Sequence, residues 1–337
     1  VFTITDFTML LARRIFRSSL LACRHYQITV AGGASEVGQT VCLLLRAQTN
    51  VANLVVHDFV DYTSGVTVDL SHVPVDTSIN GYSGYENLDT ALKKSDIVLA
   101  VGGALITPGT NLNQSMSNNI NFIKFVAARV ARLRPMPFFA ILTEPINSTV
   151  PIAAEMMRHN GYCDPKKLFG ITTIDALRAQ TLYATTFGLE AHKCDVPVIG
   201  GHSDSTVVPL LSHAKPAKEI SDSEAQTFAA KLRHTNEKII RAKRGWAPSL
   251  SIAYSALLFT QSLLKALEGD TVVVNAFVEN NQFGTSYFAG PIEVDKYGAR
   301  EMLAFGNLSP FECHLLDHSI AQIRNDVLCG KRLLEHD

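Results

Sequence analysis

The sequence predicts an α/β protein in which a doubly wound parallel sheet is followed by an α+β region. Three observations carry this: β-branched runs alternate with segments of helical period from residue 26 onward, a glycine-rich turn follows the first run, and an aspartate closes the second. Gln27–Ala31 reads as the first strand and Val37–Gln48 as the helix after the turn. Leu54–Asp58 and Ile97–Gly102 are the next strands. Asn118–Leu133 has helical spacing, and Pro135-Met136-Pro137 breaks it before another apolar run, Phe138–Leu142. This half is drawn at residues 26–148. The second half, 149–333, mixes helices (Ser148–Asn160, Asp175–Thr186, Asp222–Lys243, Ser249–Leu267) with strands such as Thr271–Val278 and Tyr287–Glu293. No internal repeat or low-complexity tract interrupts it.

Composition narrows the function. With 337 residues, 47% hydrophobic and 18% charged, the chain can bury a large core. A formal net charge of −1, from 30 basic and 31 acidic residues, gives no global field toward nucleic acid or an anionic membrane surface, so a small molecule is the expected partner. The six cysteines are scattered without a C-x-x-C pair or a zinc-like His cluster, so reduced thiols and no metal site are expected. No unbroken apolar run approaches the roughly 18 residues of a membrane span, the longest being Ile97–Ile106 with two glycines inside it, and no insertion is expected.

Residues 1–25 differ in character. Between Asp6 and Glu36 there is no acidic residue, while Arg13, Arg14, Arg17 and Arg24 recur among leucines and serines. Read from Met9, MLLARRIFRSSLLACRHY has the composition of a mitochondrial import leader, which makes a matrix location the expectation. A solvated N-terminal helix in a cytoplasmic protein is the other reading.

The turn Gly32-Gly33-Ala34-Ser35-Glu36-Val37-Gly38 opens a helix, and Asp58 follows about 20 residues beyond Gly38. Glycines let backbone N–H groups approach a pyrophosphate at a helix N-terminus, and a carboxylate at that distance accepts hydrogen bonds from a ribose, which selects NAD over NADP. That is a Rossmann-type signal. Ser35 stands where the middle glycine of such a turn would sit, and Glu36 beside it brings a negative charge toward the phosphates. An ordinary strand-to-helix turn uses similar residues, so this loop alone does not decide.

Stronger are ITTIDALRAQT, containing Asp175 and Arg178, and VPVIGGHSDSTVVPL, containing His202. Together with HDF at 57–59, VDLSH at 68–72 and PINSTVPI at 145–152, they resemble mitochondrial-type malate dehydrogenases, from about residue 26 to about residue 333. The resemblance implies NAD as cofactor, a homodimer, and a second half devoted to substrate, catalysis and dimerisation. It implies that His202 takes the hydroxyl proton as hydride leaves the substrate carbon, work suited to a side chain whose usual pKa is about 6.5. Asp175 would then fix the imidazole tautomer, and Arg178, one helical turn on, would clamp a substrate carboxylate with two hydrogen bonds. Val37, Asn119 and Ile252 join Gly32, Gly33, Ser35, Gly38 and Asp58 as implied cofactor contacts.

The pattern also breaks. The family's closing loop carries two arginines around a Pro-Gly, and in the register set by Pro108-Gly109 those positions read Ile106 and Leu112. From Gly102 to Ile123 no residue is charged. Glu144 stands where the family has an asparagine that contacts substrate and nicotinamide, and a carboxylate there repels an anionic substrate unless it is paired or protonated. Arg244–Ser249 is one residue shorter than the family's segment, and Trp246 is expected to occupy ligand volume. Losing one donor to a transition-state oxyanion costs on the order of 10²–10³ in turnover. Two expectations follow: a malate dehydrogenase with an impaired substrate site, or a relative kept for another 2-hydroxy acid or for a structural, partner-binding role.

Overall fold

The structure, a computed structural model, describes residues 26–103 and 112–335. The arginine-rich leader and Ile106 with its Pro108-Gly109 turn lie outside the described residues, as does the side chain of Leu112.

Six strands form the parallel part of one twisted sheet: β1 (Tyr26–Ala31), β2 (Val51–Asp58), β3 (Ser78–Ser83), β4 (Ile97–Ala100), β5 (Phe138–Ile141) and β6 (Leu168–Ile171). Their spatial order is β3-β2-β1-β4-β5-β6, all neighbours parallel. The order reverses direction at β1, and ligands of such sheets bind beyond the carboxyl ends of the strands flanking that point. The sheet continues through antiparallel strands β9 (Val272–Glu279), β10 (Tyr287–Asp295), β7 (Val198–Gly200) and β8 (Val207–Pro209), with β11 (Gly298–Met302) paired to β10.

Helices cover both faces because successive strand residues point in opposite directions and both sets are apolar. On one face Ile28, Leu54, Leu99 and Phe138 pack with α1 (Glu36–Arg46) and α9 (Leu250–Glu268). On the other, Val98, Phe139 and Ile141 pack with α4 (Leu112–Val130), α5 (Ile146–Asn160) and α10 (Pro310–Glu335). A third cluster joins α6 (Thr173–Phe187) and α7 (Asp222–Arg233) over β7 and β8, with Tyr183 fully buried and Phe228 against it. Short helices α2 (Thr63–Ser71) and α3 (Leu88–Leu92) follow β2 and β3.

The structure departs from the sequence reading in several places. The helix expected over Asp222–Lys243 is two: α7 ends at His234 (φ −87°, ψ 14°) and α8 (Thr235–Ala242) begins there. Arg233 ties the end of α7 to β8 by donating to the carbonyls of Val207 and Ser205, so the chain turns, and Asn236 and Ile240 face the cleft described below. The 26-residue α10 and the polar edge strand β3 were not foreseen. By length and composition α9 is apolar enough to cross a bilayer, although Ser251, Ser255, Gln261 and Ser262 interrupt its apolar residues. Its Ala253, Ala256, Phe259, Leu263 and Leu264 are buried in the core.

Candidate active site

A cleft of about 730 Å³ runs across the carboxyl ends of β1, β4 and β5, from Ser35 and Val37 to Glu144, His202 and Asp204. Asn119 and Ile252 line it between those ends.

At the nucleotide end each glycine answers a steric demand. Gly32 has φ +85°, and a Cβ there would lie 2.0 Å from the Gly102 Cα, so two loop backbones touch. A Cβ on Gly33 would meet Val56 at 2.5 Å, and one on Gly38 would meet the Gly32 carbonyl oxygen at 2.2 Å. Ser35 breaks the glycine pattern without strain: its φ of −66° and ψ of 161° suit any residue, and it serves as the N-cap of α1, its Oγ accepting from the Gly38 N–H at 3.0 Å. Glu36 is engaged elsewhere, accepting from the Ser249 hydroxyl at 2.5 Å with Lys243 Nζ at 3.8 Å. Its charge is therefore partly compensated. The half-buried Asp58, at the end of β2, is fastened to the turn by accepting from the N–H groups of Ala34 (3.0 Å) and Phe59 (2.7 Å). A backbone cradle that a Cβ would fill, a helix N-terminus and a carboxylate beside them fit a dinucleotide.

At the other end, His202 follows β7 and Asp175 lies in the first turn of α6. Asp175 Oδ2 is 2.5 Å from His202 Nδ1. The second ring nitrogen is occupied as well, with Glu144 Oε1 2.8 Å from Nε2. The imidazole and Asp175 are buried, at 8% and 6% side-chain exposure, whereas Glu144 is 47% exposed. Burial opposes charge on the ring, but Asp175 and Glu144 outweigh it through charge and hydrogen bonding and hold the His202 pKa well above its usual value. Glu144 is itself fixed: Oε2 accepts from the Ile146 N–H at 3.2 Å, and its carbonyl accepts from Asn119 Nδ2 at 2.8 Å.

The arginine one turn beyond Asp175 is engaged by a residue of the cleft wall. Arg178 donates from Nη2 to Asn236 Oδ1 at 2.8 Å, and its Nε is buried with no hydrogen-bond partner. Burial lowers its pKa, against the pull of Asp175, Glu144 and Asp204. Arg178 is not among the cleft-lining residues, which contain Glu144 and Asp204 but no lysine or arginine among those described. Trp246 does not fill ligand volume. It is 47% exposed, because Arg244 and Gly245 (φ 55° and 101°) turn the chain so that Ala247 and Pro248 line the cleft instead.

The structure thus brings His202, Asp175 and Glu144 together, with Ser35, Val37, Asn119 and Ile252 along one cleft. Sequence reasoning missed Asn147, although it lies inside a quoted motif: buried at 2% exposure, its Oδ1 accepts from the His202 backbone N–H at 2.8 Å. It also missed Asp204, two residues beyond His202, and Asn236, for which no sequence signal exists.

A parallel sheet of this order, a glycine turn with its carboxylate, and a buried imidazole–carboxylate pair at the same cleft define a dinucleotide-dependent oxidoreductase. The chain belongs to the lactate/malate dehydrogenase family: residues 26–170 match its NAD binding domain and residues 172–334 its alpha/beta C-terminal domain. NAD is accordingly the cofactor. Malate dehydrogenase of Vibrio vulnificus (strain CMCP6) is 37% identical over 306 residues, 90% of this chain and 98% of that protein. Malate dehydrogenase of Haemophilus influenzae (strain 86-028NP) is 36% identical over 310 residues, 91% of this chain and 99% of that protein. Among solved structures, malate dehydrogenase of Cryptosporidium parvum shares the fold with a TM-score of 0.78 at 23% identity, covering 91% of this chain and 99% of that one. The lactate dehydrogenase of the same organism, solved with lactic acid and nicotinamide adenine dinucleotide, also gives 0.78, at 19% identity and 91% and 98% coverage.

Proposed function

We propose that this protein interconverts a 2-hydroxy acid and its 2-oxo acid with NAD, malate and oxaloacetate being the reference pair, through a substrate site weaker than that of its relatives. The observation that carries the reading is the buried His202–Asp175 pair at the end of a cleft that begins at the nucleotide turn. Nicotinamide, when bound, supplies the hydride acceptor or donor. His202 moves the proton at the substrate oxygen through Nε2, and Asp175 keeps Nδ1 protonated and stabilises the imidazolium. Asp58 receives the adenosine ribose hydroxyls, and the turn from Gly32 to Gly38 receives the pyrophosphate. Arg178 grips the substrate carboxylate once its hydrogen bond to Asn236 is exchanged for the ligand.

Substrate preference follows from charge. Glu144 and Asp204 repel a dianion, and the sequence puts Ile106 and Leu112 where the resemblance expects arginines. A singly charged 2-hydroxy acid loses less than malate does. The deciding experiment is a steady-state assay of purified protein with malate, lactate and 2-hydroxyglutarate and their oxo forms. Turnover on at least one supports the reading, and inactivity on all would refute it.

A specific observation favours a second reading, a catalytically weak relative retained as a dimeric structural or partner-binding protein: Glu144 already occupies the nitrogen the substrate needs. Assembly as a homodimer is part of both readings. It is supported by large apolar side chains exposed on two helices that both pack against α1, Tyr62 and Val68 at α2 and Leu250 and Tyr254 on α9. Sedimentation as a monomer at micromolar concentration would oppose it. A mitochondrial matrix location is likewise proposed, from the composition of residues 1–25 alone. Fusing residues 1–30 to a reporter tests it, a diffuse cytosolic signal being the adverse result.

A further inference from the structure

We propose that Asn147 and Asp326 position His202, so that the C-terminal helix α10 sets the working geometry of the catalytic loop. The inference rests on the reading of His202 as the proton carrier. Asn147 occupies the second position of α5, buried, and its side chain spans two elements. Its Oδ1 accepts from the His202 backbone N–H at 2.8 Å, and its Nδ2 donates to Asp326 Oδ2 at 2.8 Å and to Thr206 Oγ1 at 3.1 Å.

Chemistry fixes the direction of this chain. A side-chain amide has one accepting and one donating end, and a carboxylate only accepts. Asp326 therefore draws the NH₂ end toward α10 and leaves the oxygen for the His202 N–H. A neutral partner at 326 imposes no such choice, and a flipped amide would set two donors against each other at His202. Asp326 is held in turn, its Oδ1 accepting from Gln322 Nε2 at 2.8 Å and its carbonyl from the Ser148 hydroxyl at 3.1 Å.

A second brace comes from the same face of α10. Ser319, two turns before Asp326 and fully buried, donates to the Thr206 carbonyl at 2.7 Å, and the same carbonyl accepts from the Gly201 N–H at 3.0 Å. The loop is pressed close enough that a Cβ on Gly201 would lie 2.6 Å from Thr206 Oγ1 and 2.8 Å from Asn147 Oδ1. The His202 backbone is thus gripped from beneath while Asp175 orients the ring. Asn147 and Asp326 act through His202, as positioning residues.

The test is a double-mutant cycle, Asp326→Asn, Asn147→Asp and the two combined, in the full-length protein. Two readouts are taken: the ¹⁵N-histidine amide signal of His202, assigned by its loss in His202→Asn, and kcat with KM for NAD. Asp326→Asn frees the amide to flip, and Asn147→Asp sets two carboxylates face to face. Each is expected to displace the His202 amide signal and lower kcat on the order of tenfold or more, with KM for NAD unchanged. The combined variant restores one donor facing one acceptor, with the carboxylate now at position 147 still accepting from His202, and is expected to recover both. If both single variants fold with the His202 signal and kcat of the parent, the proposal is overturned. It is also overturned if the combined variant recovers neither, or fails to fold as the singles do. A parent protein without turnover would sink the dehydrogenase reading, and the amide signals would still decide the positioning.

Discussion

Glu144 Oε1 lies 2.8 Å from His202 Nε2 while Asp175 Oδ2 holds Nδ1 at 2.5 Å, so a single buried imidazole is pinned between two acids. A substrate oxygen approaching Nε2 must displace Glu144. Asp175 and Glu144 hold the His202 pKa well above the usual value, which favours the protonated ring, the state that donates a proton to a 2-oxo acid, over the neutral ring that accepts one from an alcohol.

The reaction should therefore be lopsided in pH. Reduction of the 2-oxo acid is expected to persist to higher pH, and oxidation of the hydroxy acid to set in at higher pH, than an imidazole of ordinary pKa would give. Glu144→Gln removes one carboxylate from the ring and should shift the oxidation profile to lower pH. Superimposable kcat/KM profiles for parent and variant would show that Glu144 does not govern His202.

Stability should carry the same signature. The native pKa of His202 is raised above the unfolded value of about 6.5, so the native chain binds the extra proton, and the stabilisation is fully present below that pH. It is lost as pH climbs through the native pKa. Urea midpoints are expected to fall over that window and to flatten in His202→Asn, measured against the parent at each pH. A parent midpoint that rises between neutral and alkaline pH would contradict the sign of the shift.

Much of this was legible beforehand, because its signals are local. A strand, a glycine turn and a helix lie within one short stretch, and Gly32, Gly33 and Gly38 each meet a steric demand that only glycine satisfies. His202 and Asp175 were nameable from their flanking residues. What escaped depends on tertiary approach. Glu144 reads in sequence only as a repulsive charge facing a ligand, and its second role, holding His202 Nε2, comes from the fold. Arg178 reads as a substrate clamp, yet Asn236, reached only through the break at His234, takes its Nη2. Trp246 suggests bulk in the cleft by size alone, and the positive φ values before it aim it at solvent.

At the nucleotide end, Asp58 is expected to make NAD preferred over NADP, because a 2′-phosphate would face a carboxylate already anchored by two backbone N–H groups. Calorimetry on the parent should give the weaker affinity for NADP, and Asp58→Ala should narrow the gap. Ser35 has its own prediction. As the cap of α1 it should cost about 1 kcal/mol when changed to alanine, and a Ser35→Ala variant with unaltered thermal midpoint would show the cap to be idle.

The strongest test of the substrate site restores charge. The resemblance gives the family's dianion three arginines and an asparagine, whereas this chain offers Arg178, turned to Asn236, and a glutamate on the catalytic nitrogen. Ile106→Arg, Leu112→Arg and Glu144→Asn together supply two cations and free Nε2. Each regained charged contact is worth about 1.5–3 kcal/mol, and a donor to the developing oxyanion is worth on the order of 10²–10³ in rate. Groups acting as a unit do not add fully, so a gain of about 10³ in kcat/KM for malate is expected rather than the product of the three. Adding His202→Asn should remove the gain. Glu144→Asn alone should raise malate turnover less than the triple variant, since the distal carboxylate still meets no cation. If the triple variant instead matches the parent, with NAD binding intact, charge at the substrate end is not what limits activity, and the structural reading takes precedence.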